Sequence, residues 1–169
     1  MTTSPRLPFD PIQRAHDNWV AAGWDQPDVM AAVTSITRVN QVLMRRIDAI
    51  LRPHDLTFAR YEVLVLLTFS RTGSLPLGKV GERLQVSPAS VTNAVDRLEG
   101  SGFVRREPHP TDGRTTLACL TDAGALVVEQ ATTALTGARF GADGLDDDAS
   151  RAIIDLLGPF RAAAGDFPA

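Results

Sequence analysis

The chain is poor in sulfur, in histidine and in net charge, and each shortage excludes a class of function. Its single cysteine, Cys119, rules out a disulfide framework or a cysteine-based zinc site within one chain. Its three histidines, His16, His54 and His109, show no metal-ligand spacing. No metal and no cofactor is therefore expected. No run of eighteen or more uncharged apolar residues occurs, so no membrane-spanning helix is expected. The start, Met1 to Asp10, is polar and proline-rich without an apolar stretch, which gives no secretory leader and a cytoplasmic expectation. Nucleophile–base pairs and phosphate-binding glycine loops are also missing, so no enzyme and no catalytic residue is nominated. The formal charge of −3 and pI near 5.5 argue against nucleic-acid binding by bulk charge. They leave open binding by placed charge.

What is present is helical periodicity. With 169 residues and 44% hydrophobic content, the chain can bury a core of its own. Residues 1–11 hold three prolines and are expected to lie loose. Ile12, Ala15, Trp19 and Ala22 predict a short helix. Val29, Val33, Ile36, Asn40, Leu43, Ile47 and Ile50 then repeat at alternating spacings of four and three, a seam about 35 Å long. Two readings stand for it: a core helix, or a dimer seam with Asn40 setting register. Thr57 is the expected cap of a central helix carrying Phe58, Tyr61, Leu64, Val65 and Phe69. Helices are also predicted from Thr121 to about Phe140 and along Ile153, Leu156, Leu157 and Phe160, with Gly158-Pro159 kinking or ending the last one.

The middle of the chain carries the chemistry. Leu77, Val80 and Leu84 predict a short helix, and Gly81 in its interior reads as a close crossing or as tolerated noise. In RLQVSPASVTNAVDRLEGSGFV, Ser87 is placed to cap a second helix with Pro88 as its first residue. At about 100° per residue, Val91, Ala94, Val95 and Leu98 fall on one side. Ala89, Asn93, Asp96 and Arg97 fall on the other, flanked by Ser90 and Thr92. Two short helices, a tight turn and a short-chained polar outer face make a helix-turn-helix suited to a major groove. FVRRE and TTLACL predict a β-hairpin through PHPTDGR, with Arg114 at its tip, able to enter a minor groove. From Lys79 to Arg114 there are six basic and five acidic residues. The motif must work by placement.

The run from Leu56 to Gly124 resembles the MarR family of winged-helix transcriptional regulators. The residues that carry the likeness are LTFARYEVL, VGERLQVSPASVTNAVDRLEGSGFVRRE, the loop element DGR (Asp112 to Arg114) and LTDAG, in that order. The resemblance implies a mainly α fold with a small β-hairpin wing, a winged helix-turn-helix plus a helical dimerisation domain. Its divisions would be 1–27 as an N-terminal extension, 28–55 with 122–169 as the dimerisation region, and 56–121 as the DNA-binding domain. It implies a homodimer on double-stranded DNA with an inverted repeat, acting as a repressor released by a small aromatic or anionic effector. Ser87, Ala89, Ser90, Thr92, Asn93 and Arg97 would meet the major groove or its phosphates. Arg114 would meet the minor groove, Arg106 would join the DNA-binding set, and Asp112 would orient the wing by pairing with a basic neighbour. Trp19, Arg38, His54, Phe58 and Tyr61 are the effector candidates, by their expected place near the domain junction. The alternative reading is a winged-helix protein-docking module without DNA binding, favoured by the acidic pI. For Trp19, Trp24, Phe58 and Tyr61 a plain core role competes with ligand contact.

Overall fold

The computed structural model describes residues 7–168. The expectation for Met1 to Arg6 lies outside them. Helix α1 spans Pro11–Ala21 and α2 Pro27–Leu51, followed by a 3-10 turn at Arg52–His54. Helix α3 is Phe58–Thr68, strand β1 Ser74–Pro76, α4 Leu77–Leu84 and α5 Pro88–Gly100. Strands β2 (Val104–His109) and β3 (Asp112–Leu120) precede α6 (Asp122–Gly137), a 3-10 turn at Arg139–Gly141, and α7 (Asp147–Ala163). The chain is thus mainly α with one small antiparallel sheet, in the order β1-β3-β2.

Helix α3 is the hub. It packs on α2, α4, α5, α6 and β3, and Leu64 and Leu67 are fully buried beside Leu51, Val80, Val95, Leu98 and Leu135. Its first amide is capped from outside the segment. Thr57 occupies the cap position, but its hydroxyl accepts from none of the helix's first amides, and the Asp48 carboxylate of α2 accepts from Phe58 N at 3.0 Å. The Thr57 expectation is corrected on that point: a longer carboxylate on a neighbouring helix reaches the amide. Phe69 also departs from its expected core place. It lies just past the helix end and is 84% exposed.

The α2 seam divides. Ile47 and Leu51 are buried and Leu43 and Ile50 half-buried, but Val29, Val33 and Ile36 stand exposed, Val33 at 57%. One chain therefore uses the C-terminal half as core and leaves the N-terminal half uncovered. Helix α7 buries none of its residues, with Ile153, Ile154, Leu156 and Phe160 all exposed. It also passes through Pro159 to Ala163, where an end or kink was expected; Pro159 has no N–H for the Asp155 carbonyl, which an exposed helix leaves to water. Helix α6 stops at Gly137, short of Phe140, because Arg139, Phe140 and Gly141 all take left-handed backbone.

Pro11 opens α1, capped by Asp10, whose carboxylate accepts from Ile12 N at 2.8 Å, so this end of the proline-rich start is ordered. Helix α1 is clasped to α2. His16 Nε2 lies 3.0 Å from Asp28 Oδ1, Trp19 Nε1 donates to the Asp25 carbonyl at 3.0 Å, and the rings of Trp19 and Trp24 meet edge-on at 4.7 Å. The Asp28 bond holds the His16 imidazole above its ordinary value. A raised histidine stabilises the fold fully below that ordinary value and loses its contribution as pH climbs through the raised one. The clasp is therefore expected to loosen as pH rises above the ordinary histidine value of 6.5. The chain's two tryptophans both sit at the clasp, so intrinsic fluorescence reports on it. His16→Gln should flatten the fluorescence–pH curve, and a curve identical to wild type would discard the clasp.

Candidate nucleic-acid interface

Two short helices and a bulged hairpin build the site. An added Cβ at Gly81 in α4 would stand 3.2 Å from the Val86 carbonyl oxygen and 3.3 Å from Val91 Cγ2. The glycine is therefore the mark of a close helix crossing. At the start of α5, Ser87 Oγ accepts from Ser90 N at 3.2 Å and Pro88 is the first helical residue. Val91, Val95 and Leu98 are buried, while Ala89, Ser90, Thr92, Asn93, Asp96 and Arg97 are all exposed. The Thr92 hydroxyl donates back to the Pro88 carbonyl at 3.0 Å, which leaves its lone pairs outward as acceptors.

The wing differs from expectation in its tip and in its edge. The hairpin turns at Pro110 and Thr111, and the register slips between Pro108↔Thr116 and His109↔Asp112. Gly113, Arg114 and Thr115 are thus extra residues on β3, a bulge that lifts Arg114 out of the ladder. Asp112 builds that bulge. Its Oδ1 accepts from Arg114 N at 3.1 Å and its Oδ2 from the Thr115 hydroxyl at 2.7 Å. These two donors, Thr115 first, hold the Asp112 carboxyl below its ordinary range. The expected pairing of Asp112 with a basic side chain is replaced by this backbone-and-hydroxyl clasp. Strand β1, unforeseen, pairs with the far end of β3, Ser74 opposite Cys119.

Arg106 is half-buried with Asp96 Oδ1 at 2.6 Å and Glu99 Oε2 also on its guanidinium. Its backbone N–H donates to Glu99 Oε1 at 3.0 Å. Two carboxylates one turn apart on α5 converge on it and tie β2 to α5, so the guanidinium expected to face DNA is engaged within the chain. Arg105 alternates to the other face and pairs with Glu107 at 2.5 Å; Lys79 pairs with Glu82 at 2.6 Å. Among the described residues these pairs occupy Glu82, Asp96, Glu99 and Glu107, and leave Arg83, Arg97 and Arg114 without a carboxylate partner. The near-neutral motif therefore presents free positive charge on its outer face. Cys119 is 5% exposed, and burial, the first cause, pushes its thiol up, the opposite of a reactive cysteine.

The MarR family model matches residues 58–116, which run from the first residue of α3 through the bulge. Over 83% of this chain and 97% of the other, the structure superimposes on Sco5413, a MarR family transcriptional regulator from Streptomyces coelicolor, with a TM-score of 0.78 and 53% sequence identity. This chain belongs to the MarR family. A mutant Escherichia coli MarR complexed with operator DNA is 27% identical, with a TM-score of 0.70 over 79% of this chain and 95% of that one. An HTH-type transcriptional regulator of Mycobacterium leprae is 37% identical over 70 residues, 41% of this chain. The chain spans about half the length of the first curated relatives it matches, 49% in each case.

Within this MarR-family fold the five effector candidates do not gather in one chain. Trp19 packs on Trp24 in α1's clasp, Arg38 bonds to Gln41 Oε1 at 3.3 Å on the exposed half of α2, and His54 is half-buried in the 3-10 turn. Phe58 and Tyr61 do stack, with centroids 6.2 Å apart. Of the five, Tyr61 alone lines a cavity of about 410 Å³ between α3 and α6, with Val65, Phe69, Val128 and Thr132. Its hydroxyl lies 3.0 Å from Thr132 Oγ1. They lie apart in one chain because α1 and the outer half of α2 extend beyond the core that holds α3. Thr132 and Val65 carry no sequence signal of a site; their place comes from α6 packing on α3.

Proposed function

We propose that the chain is a dimeric, sequence-specific DNA-binding transcriptional regulator that represses its target genes and is released by a small aromatic or anionic effector. The observation that carries this reading is the pairing of a short-chained, polar outer face on α5 with a bulge, clasped by Asp112, that lifts an unpaired Arg114 beside it. Ser87, Ala89, Ser90, Thr92, Asn93 and Arg97 read or brace in the major groove, where short side chains let the helix approach. Arg114 enters the flanking minor groove, where negative potential is concentrated. Asp112 and Arg106 position the wing. Residues 56–121 form the DNA-binding unit, and 28–55 with 122–169 the dimerisation region, supported by the uncovered apolar faces of α2 and α7. The cavity between α3 and α6, apolar with Tyr61 at its wall, suits an aromatic effector.

Selection of genomic fragments on the purified protein, near about 150 mM salt, tests the reading. Enrichment of an inverted repeat with half-sites about one helical turn apart is expected. Arg114→Ala should then weaken operator binding about tenfold or more with an unchanged circular dichroism spectrum. A folded dimer that enriches nothing and shows no salt-dependent affinity for any duplex would support the protein-docking reading instead.

A further inference from the structure

The outer face of α5 shares a groove with a second element. An open hollow of about 600 Å³ runs between α5 and the start of α3, walled by Thr57 and Arg60 on one side and Ser90, Asn93 and Arg97 on the other. Arg60 is half-buried, and its Nε donates to Thr57 Oγ1 at 3.3 Å. That contact directs the guanidinium while leaving its terminal nitrogens free. Neither Arg60 nor Arg97 has a carboxylate partner among the described residues. The one carboxylate in the wall, Asp55, already accepts from the Ser101 hydroxyl at 2.8 Å. Asp48, in the adjoining hollow, is the cap of α3.

We propose that this groove seats a phosphodiester of the DNA backbone, with Arg60 as a phosphate ligand facing Arg97. The inference rests on the DNA-binding reading above and adds to it a residue on α3, outside the recognition helix and the wing. The chemistry follows from the walls. Two unpaired guanidinia across an open cleft suit a tetrahedral anion with several acceptor oxygens. The location follows from shared residues: Ser90, Asn93 and Arg97 belong both to the groove and to the face that meets the bases. A duplex lying on α5 brings its backbone to this cleft. A contact of that kind fixes the register of the helix in the groove and reads no sequence.

The test uses the full chain, the selected operator, an unrelated duplex, and Arg60→Gln, Arg60→Lys and Arg97→Gln. Arg60→Gln should weaken binding to both duplexes about equally, roughly tenfold. It should also reduce the slope of log affinity against log salt by about one per groove occupied. Arg60→Lys, which keeps the charge, should retain most of the slope. Arg60→Gln combined with Arg97→Gln should lose less than the sum of the two, because both arginines hold one phosphate. Wild-type operator binding with no change of affinity or slope in Arg60→Gln would overturn the proposal while leaving the DNA-binding reading intact. Failure of the wild type on every duplex would overturn both. Titration of free protein with inorganic phosphate separates the two sources of the anion: saturable sub-millimolar binding alongside unchanged DNA affinity in Arg60→Gln would assign the groove to a free anion and overturn the backbone contact.

Discussion

Gly124→Ala is expected to destabilise the protein more than any single substitution on the DNA-facing surface. An alanine Cβ there would stand 2.1 Å from the Phe103 carbonyl oxygen, 2.8 Å from Leu120 Cδ1 and 3.0 Å from the Phe103 carbonyl carbon. The first of these is backbone and cannot swing aside. The Phe103 carbonyl is also held, because it accepts from Thr121 N at 3.1 Å. Thr121 in turn donates its hydroxyl to the Gly102 carbonyl at 2.8 Å and accepts from Gly124 N at 3.0 Å. Any shift that makes room for a methyl group must break this joint between the α5–β2 connection and the start of α6. Overpacking of that kind costs about 3 kcal/mol or more, a fall in Tm of roughly 6–12 °C for a chain of this size. Thermal unfolding followed by circular dichroism measures it, with Ala125→Gly, at an exposed first-turn position, as a control expected to cost about 1 kcal/mol. Equal melting of Gly124→Ala and wild type would mean that the joint is loose, and that the wing is not fixed to α6 through it.

That joint also marks what sequence reasoning can and cannot reach. LTDAG gives the cap and the helix start, because Ser or Thr before a helix acts within three residues of itself. Ser87-Pro88 is legible for the same reason, and so is the two-faced pattern of α5. The need for glycine at 124 is set by Phe103, which is distant in the chain and adjacent in space. Asp48 capping Phe58 is hidden in the same way, since the cap comes from another helix. Strand β1 escapes notice because three residues including a proline carry no alternation; it exists as an edge strand on β3, where a proline is tolerated. The bulge at Gly113 to Thr115 is invisible as a register but not as chemistry: Asp, Gly and Thr are the residues that favour such a turn. Arg106 was legible as a charged strand residue, yet its direction depends on Asp96 and Glu99 lying one turn apart on the helix it faces. Local capping and periodicity thus gave the reading helix, and long-range pairing decided which arginines remain free.

The same division leaves the largest functional effect to the apolar faces that a single chain does not cover. Val33→Asp on α2 and Leu156→Asp on α7 each place a charge on an exposed apolar stripe, 57% and 77% exposed in the isolated chain. Surface substitutions of this kind change the stability of one chain by about 0.5 kcal/mol at most, so any larger effect reports on association. The wild type is expected to run at twice the 18.2 kDa chain mass in sedimentation, and each variant near the single mass at micromolar concentration. Operator affinity should fall by about 10² to 10⁴, because a linked pair of reading heads gains that much over one head by effective concentration alone. The salt slope should fall by about half, since half the phosphate contacts remain. The two readouts together separate causes. A variant that stays dimeric yet loses DNA would place the substituted residue in signal transmission between α2 or α7 and the wing. A wild type that is monomeric would remove the bivalent reading outright, and the exposed stripe with it would belong to a different partner. If dimer and affinity fall together while the melting curve of the monomer is unchanged, the exposed half of the α2 seam and the uncovered face of α7 act as one interface that turns two weak readers into one strong one.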